Sequence, residues 1–200
     1  MPRAFAGVEL PGRTDPLIVA DALARHGVPP NHPALHAFND RYFTCLADEL
    51  ARGSARGQVL PGVRPLLDAL AARDDFTLAL LTGNFEESAR LKLEHFDLWR
   101  YFAGGAFGGD AADRNGLVPV ALQRTGHPDP AAARVVVIGD TPHDVACAAA
   151  GGARSLAVAT GSASEKRLRA AGADAVFADL ADTSAVLAAI DQLLAIAVER

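Results

Sequence analysis

The stretch RVVVIGDTPHD at residues 134–144 constrains the fold of this chain more than any other part of it. An apolar run of Val and Ile closed by Gly139 predicts a buried parallel strand. Thr141-Pro142 predicts an N-cap and a first helical position directly after it. Asp140 then leaves the carboxyl end of a strand, and Asp144 falls in the first turn of the next helix. In open α/β sheets ligands bind at that edge. Two neighbouring acids there suit a hard cation such as Mg²⁺, which takes one or two carboxylates, keeps waters and shares the rest of its shell with a phosphate. A structural role fits the same residues. Thr141 with an acid three residues on approaches a capping box, and the helix dipole favours an acid in the first turn.

Residues 76–84, FTLALLTGN, repeat the pattern upstream. A short apolar strand ends in Thr82-Gly83-Asn84, and a helix-like segment, FEESARLKLEHF, follows directly. A hydroxyl at a strand end, beside Gly and the N–H groups of a helix N-terminus, makes a cradle for phosphate oxygens. The same three residues also serve as an ordinary turn or cap. Between the two motifs lies GGDAADRNGLVPVALQRTG, where Arg114 is the foremost cation to offset phosphate and carboxylate charge and Arg124 is the other. The chain's two lysines, Lys92 and Lys166, fall outside that interval.

From about Pro61 to the C-terminus these motifs resemble the haloacid dehalogenase superfamily of hydrolases, in its phosphoglycolate phosphatase-like branch with a helical cap. LPGVRPLLDAL is similar to the helix that follows the cap, LALLTGN to the second motif, the Arg114 region to the third, and VVVIGDTPHDVACAAAGGARSLAVATG to the fourth. The resemblance implies a Rossmann-like parallel sheet flanked by helices, with a cap at residues 1–60 and a core at 61–200. It implies Mg²⁺ held by Asp140 and Asp144, and a phosphoryl group met by Thr82, Gly83, Asn84 and Arg114, with Thr82 and Arg114 in catalytic roles. The activity it implies is a Mg²⁺-assisted phosphatase acting on a small phosphorylated metabolite through an aspartyl-phosphate.

The family's first motif, an Asp-x-Asp at the end of an N-terminal apolar strand, has no counterpart in these residues. Asp15, Asp21 and Asp40 stand in helix-like polar settings, and Asp-x-Asp occurs nowhere in the sequence. The strand that would carry it is expected to be the central one, between those bearing Thr82 and Asp140. Loss of the nucleophile removes covalent catalysis and one metal ligand. The expectation is therefore a truncated or mis-started chain of little activity, lacking on the order of one strand and one helix. A non-catalytic binding or regulatory module of the same fold is the competing reading.

Half of the 200 residues are hydrophobic, enough to bury a core with a small cap. A formal charge of −5 argues against nucleic acid or an anionic membrane surface as partner. Cys45 and Cys147 have no metal-ligand spacing, and both read as buried small hydrophobes in a reducing cytoplasm. No secretory or membrane-spanning segment is legible. Helices are expected at 15–27 and 34–50 in the cap, with residues 53–57 and Pro61 as hinge. Beyond them the reading alternates: helices near 62–72, 85–95, 117–125, 142–150, 163–171 and from 183, and strands at 76–81, 106–107, 135–138, 155–159 and 175–177. Arg13 is a candidate grip for an anionic substrate, although capping of the first helix by Arg13 and Asp15 is the simpler role. His143 reads as a variable motif position, and Trp99 and Tyr101 as packing residues.

Overall fold

The computed structural model describes residues 5–8, 10, 12–29, 32, 34–53, 57–127 and 134–196. Two helices come first, α1 (Asp15–Arg25) and α2 (Ala34–Ala51). Part of the expected hinge, residues 54–56, lies outside the described residues. The chain then alternates: α3 (Val63–Ala71), β1 (Ala79–Leu81), α4 (Glu86–His95), β2 (Gly104–Ala106), α5 (Leu117–Arg124), β3 (Val136–Gly139), α6 (Pro142–Ala150), β4 (Arg154–Val158), α7 (Glu165–Ala170), β5 (Ala175–Phe177) and α8 (Thr183–Ile196). Short 3-10 turns at Trp99–Tyr101 and Arg114–Gly116 were not legible in the sequence. No helix among the described residues is long and apolar enough to cross a membrane.

Among the described residues all strand pairs are parallel, in two groups: β1 with β2, and β3 with β4 and then β5. Both groups rest on the same two helical layers. On one face Leu78, just before β1, and Val136 of β3 pack against Leu66 and Leu70 of α3 and Val186 and Ile190 of α8. On the other face Leu81 of β1 and Val137 of β3 meet Val118 and Leu122 of α5 and Cys147 of α6. The period of two that sends alternate side chains to opposite faces therefore has the same sense in both groups. They form one layer, and no described strand pairs β1 with β3. Ile138 stands two residues beyond Val136 on the same face, yet it is 39% exposed, unusual for a strand of a parallel sheet covered by helices.

Local chemistry explains the agreement and the differences. Helix α6 begins where expected because Thr141 caps it, Pro142 fits its first turn, and Asp144 completes a capping box. The strand expected at 106–107 lies instead at Gly104–Ala106, in register with Ala79–Leu81. Gly105 backs directly onto Leu80, where a side chain has no room. Phe107 leaves the ladder and gives its N–H to Asp110 at 2.7 Å. Trp99 stacks on Phe107, as packing, with ring centroids 6.3 Å apart. Cys147 is buried, but Cys45 is exposed on α2, against expectation. Gly62 is left-handed at φ +80°, with its Cα against the Leu180 backbone, a place only glycine fills.

Asp174, before β5, ties that strand to β4. It accepts the Ser155 N–H at 2.9 Å, the Ser155 hydroxyl at 3.0 Å and Arg154 at 2.9 Å. Burial pushes its carboxyl up, but these donors outweigh burial and hold it below the usual carboxylate value. A depressed folded-state pKa adds stability above the unfolded value of about 4, and that stability is lost as pH falls through the folded value. Asp174→Asn should cost about 1–3 kcal/mol at neutral pH and much less at strongly acidic pH. Urea unfolding at the two pH values checks this, and an equal loss at both would remove the assignment.

Candidate functional site

Because the strands run parallel, the loops after β1 and β3 leave from their carboxyl ends, and the described segment 12–16 runs between them. The Cα of Gly83 faces the Arg13 carbonyl and Thr14, and that of Gly12 faces the His143 imidazole on α6. Gly108, after β2, abuts the Gly83 carbonyl and Pro16. The Thr82 loop and the start of α6 thus stand on either side of a few residues of chain. Glycine at 83 and 108 permits the close backbone approach.

The start of α6 is organised by Asp144. Its Oδ2 accepts the N–H of Asp140 at 3.1 Å, the N–H of Thr141 at 2.9 Å and the Thr141 hydroxyl at 2.7 Å. Its Oδ1 pairs with the Arg114 guanidinium, in a contact where the side chains are 6% and 18% exposed. The Cys147 thiol reaches the Arg114 carbonyl, and burial pushes that thiol up, away from the reactive thiolate. Arg114 and Asp144 are therefore brought together, as two residues of one predicted site. Both oxygens of Asp144 are occupied by this protein's own donors.

Asp140 is placed differently. Its carboxylate lies beside Gly161, where a Cβ would collide with it, and it borders a cavity of about 220 Å³ walled by Leu60, Pro61, Val63, Thr160 and Leu180. Burial, and then the charge of Asp144, push the Asp140 carboxyl up. A cation beside Asp140 would relieve both effects, so this residue suits Mg²⁺ chemically. Asp144 suits it through the Asp140 and Thr141 backbone it holds, with its own charge met by Arg114. Among the described residues no group of three His, Cys, Asp or Glu side chains could hold a metal on its own.

The Thr82 loop is also partly occupied by internal bonds. Thr82 Oγ1 accepts the Asn84 N–H at 3.2 Å, and the Thr82 N–H donates to Ala106 at 3.1 Å. The Asn84 side chain is not free for an anion, as the sequence had suggested. Its amide faces Asp15 and its carbonyl takes the Lys92 ammonium at 3.1 Å. The Phe85 N–H at the start of α4, expected to help hold phosphate, goes to Asp15 at 2.9 Å. That leaves the Thr82 hydroxyl and the Gly83 N–H as the part of the cradle that Asp15 does not occupy.

The remaining candidates separate cleanly. Arg13 pairs with Asp21 at 2.5 Å. Arg124 grips Asp110 through two contacts of 2.7 Å and also reaches the Gly105 carbonyl at 3.0 Å, so it braces the loop after β2. Thr14 caps α1 without a side-chain bond, and Asp15 turns to α4 instead of capping its own helix. Asp15, Lys92 and Asp110 were missed by sequence reasoning as loop-ordering residues. No local pattern announces Asp15, whose partners are some 70 positions away, whereas the acid at Asp110 inside GGDAAD was a readable turn signal.

Known proteins share parts of this chain's sequence and fold. The HAD-hydrolase-like family model matches residues 114–183. A tyrosine-protein kinase, PtkA, from Mycobacterium tuberculosis is 33% identical over 146 residues, 70% of this chain and 50% of that protein. The chain thus spans about half the length of this relative. A protein described as a predicted phosphoglycolate phosphatase from Haemophilus somnus superposes with a TM-score of 0.63 at 17% identity, covering 92% of this chain and 80% of that one. A HAD family hydrolase from Deinococcus radiodurans, with bound phosphate and sodium, gives 0.55 at 22% identity, covering 94% and 79%. With parallel strands flanked by helices, the chain has the fold of the haloacid dehalogenase-like proteins, and its residues 114–183 resemble that family in sequence.

Proposed function

We propose that this fold hydrolyses a small phosphorylated metabolite with the help of Mg²⁺, and that the nucleophilic aspartate comes from a strand outside these 200 residues. The observation that carries the reading is the convergence of Arg114, Asp144 and Asp140 at the carboxyl end of β3, beside a β3 edge that no other strand pairs among the described residues. Residues 1–60 act as the cap and 61–200 as the core, in the cytoplasm, with neither nucleic acid nor membrane as partner.

In the complete site a carboxylate oxygen of the incoming aspartate attacks phosphorus in line, and the bond from phosphorus to the substrate oxygen breaks. Water then attacks the aspartyl-phosphate, releasing inorganic phosphate and restoring the carboxylate. Thr82 and the Gly83 backbone orient the phosphoryl oxygens. Arg114 keeps the Asp144 carboxylate in place, so that the Asp140 backbone is fixed where β3 ends. Asp140 would hold Mg²⁺, which supplies charge neutralisation of the phosphoryl oxygens when bound.

In a chain extended upstream to include the nucleophile strand, Asp140→Asn is expected to lower turnover of p-nitrophenyl phosphate by about 10²–10³-fold. Turnover retained within a few-fold of the parent would overturn the metal assignment. The similarity to a protein named as a tyrosine kinase favours a second reading, transfer of the phosphoryl group to a tyrosine hydroxyl in place of water. Phosphotyrosine on an added protein, rather than free phosphate, would distinguish it.

A further inference from the structure

The Thr82 loop is held from the far end of the chain. Asp15, the first residue of α1, lays its carboxylate over the N-terminus of α4. Its Oδ2 accepts the Phe85 N–H at 2.9 Å and the Ser88 hydroxyl at 3.3 Å, while the Asn84 amide approaches its two oxygens at 3.3 and 3.4 Å. The Asp15 N–H in turn donates to the Gly83 carbonyl at 2.6 Å, and Ser88 has no exposed surface. Each residue from Gly83 to Phe85 therefore bonds to Asp15, by backbone or side chain.

Helix stability alone does not account for this. Glu86 and Glu87 already place two acids in the first turn of α4, where the macrodipole favours them. What Asp15 adds is contact with the loop itself. Its charge meets the Asn84 amide and the Phe85 N–H, while the Asn84 carbonyl takes Lys92. Without Asp15 the Asn84 amide and Phe85 N–H have to find other partners, and the turn that presents Thr82 loses its fixed geometry.

We infer that Asp15 is the positioning residue of the Thr82-Gly83-Asn84 loop, fixing from helix α1 the turn in which the Thr82 hydroxyl and Gly83 backbone meet an anion. The inference rests on the reading of that loop as a phosphate cradle, and it links the first helix of the chain to the shape of the cradle. Asp15 acts through the loop and does not itself touch the anion, whose charge it would repel.

The test titrates inorganic phosphate into the 200-residue chain and its Asp15→Ala and Asp15→Asn forms, with amide hydrogen exchange read at Phe85 and, for reference, at Val145 and Ala157. Asp15→Ala is expected to speed exchange at Phe85 about tenfold or more and to weaken phosphate binding about tenfold, with the reference amides unchanged. Asp15→Asn, which keeps an acceptor oxygen, should fall between the two. Unchanged exchange at Phe85 overturns the inference, as does an equal rise at all three amides, which would make Asp15 a residue of general stability. Faster exchange at Phe85 with undiminished phosphate affinity also overturns it. If no form binds phosphate while Phe85 alone exchanges faster, the clamp is upheld and the cradle reading of the loop falls.

Discussion

The 200-residue chain is expected to turn over p-nitrophenyl phosphate at least about 10⁴-fold more slowly than a chain extended upstream by an apolar strand ending in Asp-x-Asp, because a missing nucleophile removes the covalent route outright. The extension should also raise stability. Among the described residues β1 pairs with β2 alone and β3 with β4 alone, although both lie on the same helical layers. A strand entering between them would pair amides and carbonyls that cost on the order of 1–3 kcal/mol each when buried and unbonded. It would also cover Ile138, now 39% exposed. Steady-state turnover and urea unfolding of the two forms are the measurements. Equal turnover by both would defeat the proposal, and equal stability would mean that the gap is not a strand site.

Arg114→Met should be the most destabilising single change at the site, by about 3–5 kcal/mol, since it strands the charge of Asp144 with its side chain 6% exposed. The three internal donors to Asp144 Oδ2 would remain, but the oxygen facing Arg114 would be left without its cation. Combining Arg114→Met with Asp144→Asn should recover a large part of that loss, because the neutral amide leaves no uncompensated charge behind. Chemical denaturation of the two single variants and the double variant gives the coupling. A loss below about 1 kcal/mol for Arg114→Met would show the ion pair to be a marginal contact of the kind common at surfaces.

What could be read from the sequence was what short-range chemistry determines. Helix α6 declares itself through Thr141, Pro142 and Asp144, all within reach of their own backbone. The bounds of β2 did not, because Gly104 and Gly105 carry no apolar side chains and owe their place to the register with Ala79 and Leu80. For the candidate site, motif and spacing proposed Thr82, Arg114, Asp140 and Asp144. Their division of labour could not be read that way. Nothing local says that Asp144 spends both oxygens on internal donors while Asp140 turns toward Gly161, or that Asp15 reaches across some 70 residues to hold the loop after β1. The exposure of Cys45 likewise depends on which side of α2 is covered, a tertiary property that residue type does not carry.

The left-handed Gly62, pressed on the Leu180 backbone, sits immediately after Leu60 and Pro61, which wall the cavity beside Asp140, and Leu180 walls it too. The threshold of that cavity is thus anchored at a point where the chain cannot slide. A bulkier residue at position 62 would press on the Leu180 backbone and so push apart two walls of the cavity at once.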